Sequence, residues 1–205
     1  MKTVETMVLG VAQVNTYLLW ENDHVMIIDP GSNAPRLSDM ILERNAIVDA
    51  ILLTHGHFDH IAGVDKLVNQ FHCPVYMNEL DVCMLTDPKL NCSAYMGNNM
   101  ITVKSKPNIL QPGTHKIGAF TITFIDAPGH SEGCSMIQCE NYLFSGDVLF
   151  AQSIGRTDLI GGSNSKMMNS LKQFKQMDPN LIVYPGHGPS TTLQQELLVN
   201  PYLQF

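Results

Sequence analysis

Lysine and arginine are scarce in this chain of 205 residues: 12 of them face 19 aspartates and glutamates, giving a formal charge of −7. Coating a phosphate backbone depends on clustered cations, so nucleic acid is a poor first guess for a partner. Long apolar runs are missing as well. Nowhere do about 18 apolar residues follow one another. The opening stretch, MKTVETMVLGVAQVNTY, has neither a continuous apolar segment nor a small-residue cleavage pattern. The expectation is a chain that is neither secreted nor membrane-spanning. Cysteine is limited to Cys73, Cys83, Cys92, Cys134 and Cys139, an odd set without a C-x-x-C pair. That argues against a disulfide framework and for a reducing cytoplasm. Biased or repetitive segments are absent too, and 44% of the residues are apolar against 15% charged, the composition of a compact globule. The length suits one domain with a substantial core.

What is present alternates between two periods. TVETMVL, NTYLLW and HVMIID read as short strands, closed by the turn sequence DPGS. APRLSDMILERN sets Leu37, Met40, Ile41 and Arg44 on one helical stripe, and the apolar run AILL at 50–53 is a buried strand. Ile61, Val64, Leu67, Val68 and Phe71 then recur at the spacing of an amphipathic helix lying on a sheet, followed by the strand PVYM. Residues 78–107 lose all period at Asp87-Pro88, Asn91, Gly97, Asn98-Asn99 and Pro107, yet keep Met84, Leu85, Leu90, Tyr95, Met96 and Met100. An irregular, partly helical insertion lying over a site is expected there. FTITFID, CSMIQ and YLFSG are strands, 165–177 is a helix with Met167, Leu171 and Phe174 inward, LIVY at 181–184 is the last strand, and TTLQQELLVNPYL holds a closing helix. Interleaved strands and helices in two similar halves, with no linker between them, predict a layered α/β sandwich forming a single domain.

The chemistry collects where strands stop. The chain has 8 histidines, and THGHFDH (54–60) concentrates three of them beside a carboxylate. AILLT runs into His55, FTITFIDAPG into His130, YLFSG into Asp147 and LIVYPG into His187, so four strand ends aim at one edge, where open α/β sheets place their sites. His24, His72 and His115 lack metal-type neighbours and read as structural. The remaining groups, His55, His57, Asp59, His60, His130, Asp147 and His187, have no evident reason to gather except around a cation. His55 and His57, two apart on an extended segment, can chelate one ion, while Asp59 and His60 on the turn beyond point to a second. Imidazole and carboxylate ligands suit zinc first, and iron or manganese also.

THGHFDH, PGH at 128–130, SGD at 145–147 and PGHG at 185–188 together resemble the metal motifs of the metallo-β-lactamase fold superfamily. IGRTDLIGG and GPSTTLQQELLVNPYL resemble its short glyoxalase II-like (hydroxyacylglutathione hydrolase-like) members. The resemblance implies a four-layer αββα sandwich with two divalent metal ions: His55, His57 and His130 on one, Asp59, His60 and His187 on the other, and Asp147 bridging. It also implies that Asp29 of IIDPG supports the ligands from behind. Two departures stand out. GHSEGC puts Glu132 beside the third ligand, and the chain after the last ligand is too short for the separate C-terminal subdomain with which longer glyoxalase II enzymes grip glutathione.

The reaction expected from such a site is attack on an ester or thioester carbonyl by a metal-bound hydroxide, with a small molecule as substrate. Asp59 is the candidate to orient the nucleophile or receive its proton, with Asp147 as the shared carboxylate. Arg156 of GRTDL has two readings, a fork for a substrate carboxylate or an internal pair with Asp158 that stiffens the loop. Cys134 and Cys139 read as core. Three alternatives remain open: a persulfide dioxygenase-like oxidoreductase with one iron on two histidines and one carboxylate, such as His55, His130 and Asp147; a lactonase or other ester hydrolase; and a metal-stabilised binding module. The sequence is silent on oligomeric state.

Overall fold

The computed structural model describes residues 2–32, 35–96 and 100–204; Ala34, Gly97, Asn98 and Asn99, read above, lie outside them. Strands β1 (Lys2–Leu9), β2 (Val14–Glu21) and β3 (His24–Ile28) form an antiparallel meander. Helix α1 (Pro35–Glu43) leads to β4 (Ile47–Leu52), parallel to β3. The short α2 (Phe58–Ile61) and α3 (Val64–Phe71) lead to β5 (Val75–Met77), parallel to β4, and β6 (Asn108–Ile109) completes a six-stranded sheet in sequential order.

The second half repeats the scheme. Strands β7 (Gly113–Ile117), β8 (Phe120–Asp126), β9 (Ser135–Cys139) and β10 (Tyr142–Gly146) are antiparallel neighbours. A small hairpin of β11 (Leu149–Phe150) and β12 (Ser153–Ile154) precedes α4 (Asn164–Leu171). Strand β13 (Ile182–Pro185) lies parallel to β10, followed by β14 (Thr191–Thr192) and α5 (Leu193–Val199). The second sheet runs β14-β13-β10-β9-β8-β7.

Alternation along each strand decides what faces what. In β2 and β3, Leu18, Trp20, Val25 and Ile27 pack outward on Leu37 and Ile41 of α1 and on Val64 and Leu67 of α3. Their neighbours Tyr17, Leu19, Met26 and Ile28 pack inward on Ile122, Phe124, Ile137 and Phe144 of the second sheet. That sheet turns Met136, Leu143 and Val183 outward on Met167 and Leu171 of α4 and on Leu193 at the start of α5. The result is the expected αββα sandwich: two sheets covered on both faces, with three apolar layers between four structural ones.

Differences from the sequence reading are local. Arg44 lies just past α1, off its buried stripe; its guanidinium sits 4.2 Å from the centre of the Trp20 ring and bonds Glu5 at 2.6 Å. The helix expected over 165–177 relaxes into a 3-10 turn at Lys172–Gln176. Strand β7 carried no signal because GTHKI turns mostly polar side chains to solvent at a sheet edge. The irregular stretch holds two short 3-10 helices, Glu79–Leu85 and Ser93–Tyr95. The three histidines read as structural are so placed: His24 Nδ1 is 2.8 Å from Asp49 Oδ1, His115 Nε2 is 2.7 Å from the Gln111 carbonyl, and His72 closes α3 in a left-handed conformation.

Candidate metal centre

The four strand ends meet. The chain leaving β4 carries His55 and His57 on an extended segment, and α2 begins at Phe58, so Asp59 and His60 ride its first turn. The loops after β8, β10 and β13 bring His130, Asp147 and His187 to the same place. Candidate ligand atoms of His55, His57 and His130 all lie within 4.8 Å of one another, as do those of His55, His60 and Asp147, and those of Asp59, His60 and His187. All seven groups singled out in the sequence are therefore brought together. The Asp147 carboxylate sits between the two sides, with Oδ2 3.4 Å from His130 Nε2 and 3.6 Å from His187 Nε2, and Oδ1 3.5 Å from His60 Nε2.

These groups fit a metal ion for a reason visible in their hydrogen bonding. Buried polar atoms in folded proteins are almost always partnered. Here His55 Nε2, His57 Nε2, His60 Nε2 and Asp147 Oδ1 are buried with no hydrogen-bond partner. Each such atom costs about 1–3 kcal/mol, so four in one place form a set that a cation would satisfy. His57 Nδ1 and His130 Nε2 also stand only 2.8 Å apart, two nitrogens facing each other.

Electrostatics divide the cluster. Burial, and then the neighbouring imidazoles, hold His55 well below the ordinary histidine value, and burial with His130 pushes His57 down to about 3. Both are thus neutral bases with lone pairs to offer. On the other side burial opposes charge on His60, but Asp29, Asp147 and Asp59 outweigh it and raise the imidazole; burial likewise opposes ionisation of Asp147, and His60 outweighs it and lowers the carboxyl. One half is a neutral nitrogen cradle, the other an acid–imidazole lattice.

An outer layer fixes the orientation of these side chains. Asp29, itself at φ 50°, accepts from the Thr54 amide at 2.8 Å, the Thr54 hydroxyl at 2.6 Å and His60 Nδ1 at 2.9 Å. His130 Nδ1 bonds the Arg156 carbonyl at 2.8 Å. Asn15 of β2 donates to the carbonyls of Pro185 and Gly188, at 2.9 and 2.8 Å, and so pins the turn that carries His187. Within that turn Gly186 leaves room for the ligands: a Cβ there would stand 2.1 Å from Asp147 Oδ1.

Sequence reasoning missed Asp81. This buried carboxylate accepts from the Gly56 amide at 3.1 Å, the Ser131 hydroxyl at 2.6 Å and the Gly133 amide at 2.7 Å, binding the His55–His57 segment to the His130 loop. The one available signal was an acidic residue inside the apolar run LDVCML, within a stretch that otherwise has no period.

A cavity of about 650 Å³ opens onto the cluster. Tyr95 and Met96 line it, as expected of the irregular insertion, whereas Met84 and Leu85 are core residues and Met100 is exposed away from its walls. Arg156 lines it too, but its fork is taken: Nε and Nη2 meet Asp158 at 2.6 and 2.8 Å, the internal pair of the two sequence readings. Glu132 pairs with Lys166 of α4. Cys134 and Cys139 are buried, and all five cysteines are free.

Known proteins share this arrangement of chain. The sequence profile of the Metallo-beta-lactamase superfamily matches residues 9–187. The Probable metallo-hydrolase YqgX of Bacillus subtilis is 35% identical over 201 residues, covering 96% of this chain and 95% of that protein. Hydroxyacylglutathione hydrolase GloC of Haemophilus influenzae is 31% identical over 206 residues, covering 98% and 97%. Among solved structures, BLEG-1 B3 metallo-beta-lactamase superposes with a TM-score of 0.93 at 38% identity over 99% of this chain and 100% of that one. TTHA1623 in a di-iron-bound form superposes with a TM-score of 0.85 at 35% identity over 97% and 100%. A profile spanning most of the sequence, with relatives aligned over nearly their whole length, makes this chain a member of the metallo-beta-lactamase superfamily.

Proposed function

We propose that this chain is a single-domain, two-metal hydrolase of small thioesters, hydroxyacyl thiols among them. The observation that carries the reading is the convergence of seven imidazole and carboxylate groups in which four buried atoms lack a hydrogen-bond partner. His55, His57 and His130 would hold one ion, Asp59, His60 and His187 the other, and Asp147 would serve both. Divalent ions there would lower the pKa of water and polarise a carbonyl. Zinc is the first expectation, and the di-iron form of TTHA1623 supports iron as the other.

The chain's own groups supply the rest. Asp59 lines the cavity and its Oδ2 lies 3.2 Å from His187 Nε2, a position from which it can orient the attacking water and take up its proton. The water oxygen bonds to the acyl carbon, the carbon–sulfur bond breaks, and the products are a carboxylic acid and a thiol. A thiolate leaves without a strong proton donor, which suits a cavity whose lining has no lysine or glutamate among the described residues. GloC, described as a hydroxyacylglutathione hydrolase, supports the thioester class. The free cysteines support work in a reducing cytoplasm. Among the described residues no helix is long and apolar enough to cross a membrane.

The test is metal analysis of protein purified without added metal, read beside thioester hydrolysis and oxygen uptake with a persulfide. About two ions per chain at full loading and thioester cleavage abolished by chelation are expected. One ion per chain with persulfide-dependent oxygen uptake would transfer the assignment to the dioxygenase class.

A further inference from the structure

Beyond the candidate ligands, the walls of the cavity are mostly apolar. Phe58 stands beside Asp59, Phe150 and Ile154 come from the β11–β12 hairpin, Leu159 follows the GRTD turn, and Tyr95 and Met96 come from the irregular insertion. Tyr95 and Met96 are 65% and 58% exposed, large apolar side chains held toward water at the mouth of a cavity. Such surfaces in concave sites mark apolar ligands.

Apart from the two ions proposed for the floor, the lining offers little positive charge. Arg156 is the one lysine or arginine among the described residues lining the cavity, and its Nε and Nη2 are bound to Asp158. Lys166, on the far side of Glu132, is likewise paired. The formal charge of −7 on the chain itself adds no long-range attraction for an anionic carrier, and the two ions proposed for the floor would offset only part of it.

Resting on the thioester reading above, we infer that the cavity selects an uncharged thioester with an aliphatic or aromatic acyl chain, and that an anionic carrier thiol gains no binding from it. Phe58, Phe150 and Ile154 take the acyl chain beyond the carbonyl, while Tyr95 and Met96 fold over its end. Asp158 acts as a built-in competitor: it occupies the guanidinium that would otherwise pair with a carrier carboxylate.

Two comparisons test this. The first measures kcat/KM for acetyl, butyryl and hexanoyl thioesters of N-acetylcysteamine and of glutathione. Full burial of a methylene is worth about fourfold, so at least about a tenfold rise from acetyl to hexanoyl is expected, with the neutral carrier favoured over glutathione. Asp158→Asn should move the carrier ratio toward glutathione by up to about fivefold, through KM rather than kcat, by freeing the Arg156 fork. A flat or falling chain-length series, or a wild-type preference for glutathione, would overturn the inference while leaving thioester hydrolysis intact. The second comparison is calorimetric binding of methyl and hexyl thioethers on the same two carriers. If no thioester is cleaved, the reading of the reaction fails, and the calorimetry alone decides: tighter binding of the neutral hexyl thioether sustains the inference, and equal binding of all four ligands ends it.

Discussion

His60, beneath the floor of the cavity, is fully buried and is held by Asp29 on one side and faced by Asp147 on the other, whereas Tyr95 at the mouth is 65% exposed and belongs to a three-residue 3-10 helix. The floor is fixed by polar contacts reaching back into both sheets, and moving any one of them leaves a buried group unsatisfied. The mouth is made of apolar side chains that touch little, so they can change without disturbing the fold. On the proposed reading, reaction and selectivity would thus be separated in the structure: one over-determined, the other free to vary.

The sharpest way to break that contrast is at Asp147. Asp147→Ala should lose more bound metal than any single histidine change, and its kcat/KM should fall beyond the roughly 10–100-fold typical of outer-layer partners. Metal analysis and turnover equal to the parent would mean that this carboxylate is not shared. Next comes Asp81→Ala, which strips the acceptor from the Gly56 and Gly133 amides and the Ser131 hydroxyl. A loss of about 1–3 kcal/mol for each donor left buried should be readable in urea unfolding, with Asp81→Asn milder because one acceptor oxygen remains. If Asp81→Ala unfolds like the parent, the floor is less tightly determined than its hydrogen bonds indicate.

Replacing Tyr95 and Met96 together by serine should leave stability within about 0.5 kcal/mol, as for other exposed sites, while raising KM for a hexanoyl thioester severalfold. A large drop in melting temperature would place these residues with the floor rather than the mouth. The smallest effect lies outside both regions. His24, bonded to Asp49, has its pKa raised chiefly by that hydrogen bond. The stabilisation is therefore fully present below the unfolded value, about 6.5, and fades as pH rises through the higher folded value. NMR titration of the His24 ring should give a midpoint above 6.5, and His24→Ala should flatten the stability slope across that window.

The floor was legible in the sequence to a degree that the mouth was not. Metal-type side chains directly after apolar strands need no long-range information to be recognised, and the four strand ends were placed correctly because alternation and burial are local properties. The clamp made by Asp81 depends on loops 25 and 50 residues away, a relation that spacing cannot encode in a stretch without period. The insertion was read as a wall, and of the apolar residues singled out there Tyr95 and Met96 serve as one, whereas Met84 and Leu85 turned inward under Gly56 and Val103. Arg156 stayed ambiguous because a fork and a partner two residues on are both consistent with GRTD; only geometry shows the carboxylate already in place.

The proposed ligands divide between the two halves of the chain. His55, His57, Asp59 and His60 follow a strand of the first sheet, while His130, Asp147 and His187 follow strands of the second. The seam is also crossed by backbone bonds, from the Ser135 amide to the Thr54 carbonyl at 2.8 Å and from the Asn15 amide to the Gly186 carbonyl at 2.7 Å. An ion shared across that seam can bind well only when both halves are docked, so its affinity is linked to the docking equilibrium itself. Each tenfold rise in free metal above the dissociation constant would then add about 1.4 kcal/mol to the assembled state for each ion bound. The cofactor would act as a rivet as well as a reagent, and metal starvation would loosen the sandwich along the line where its two sheets meet.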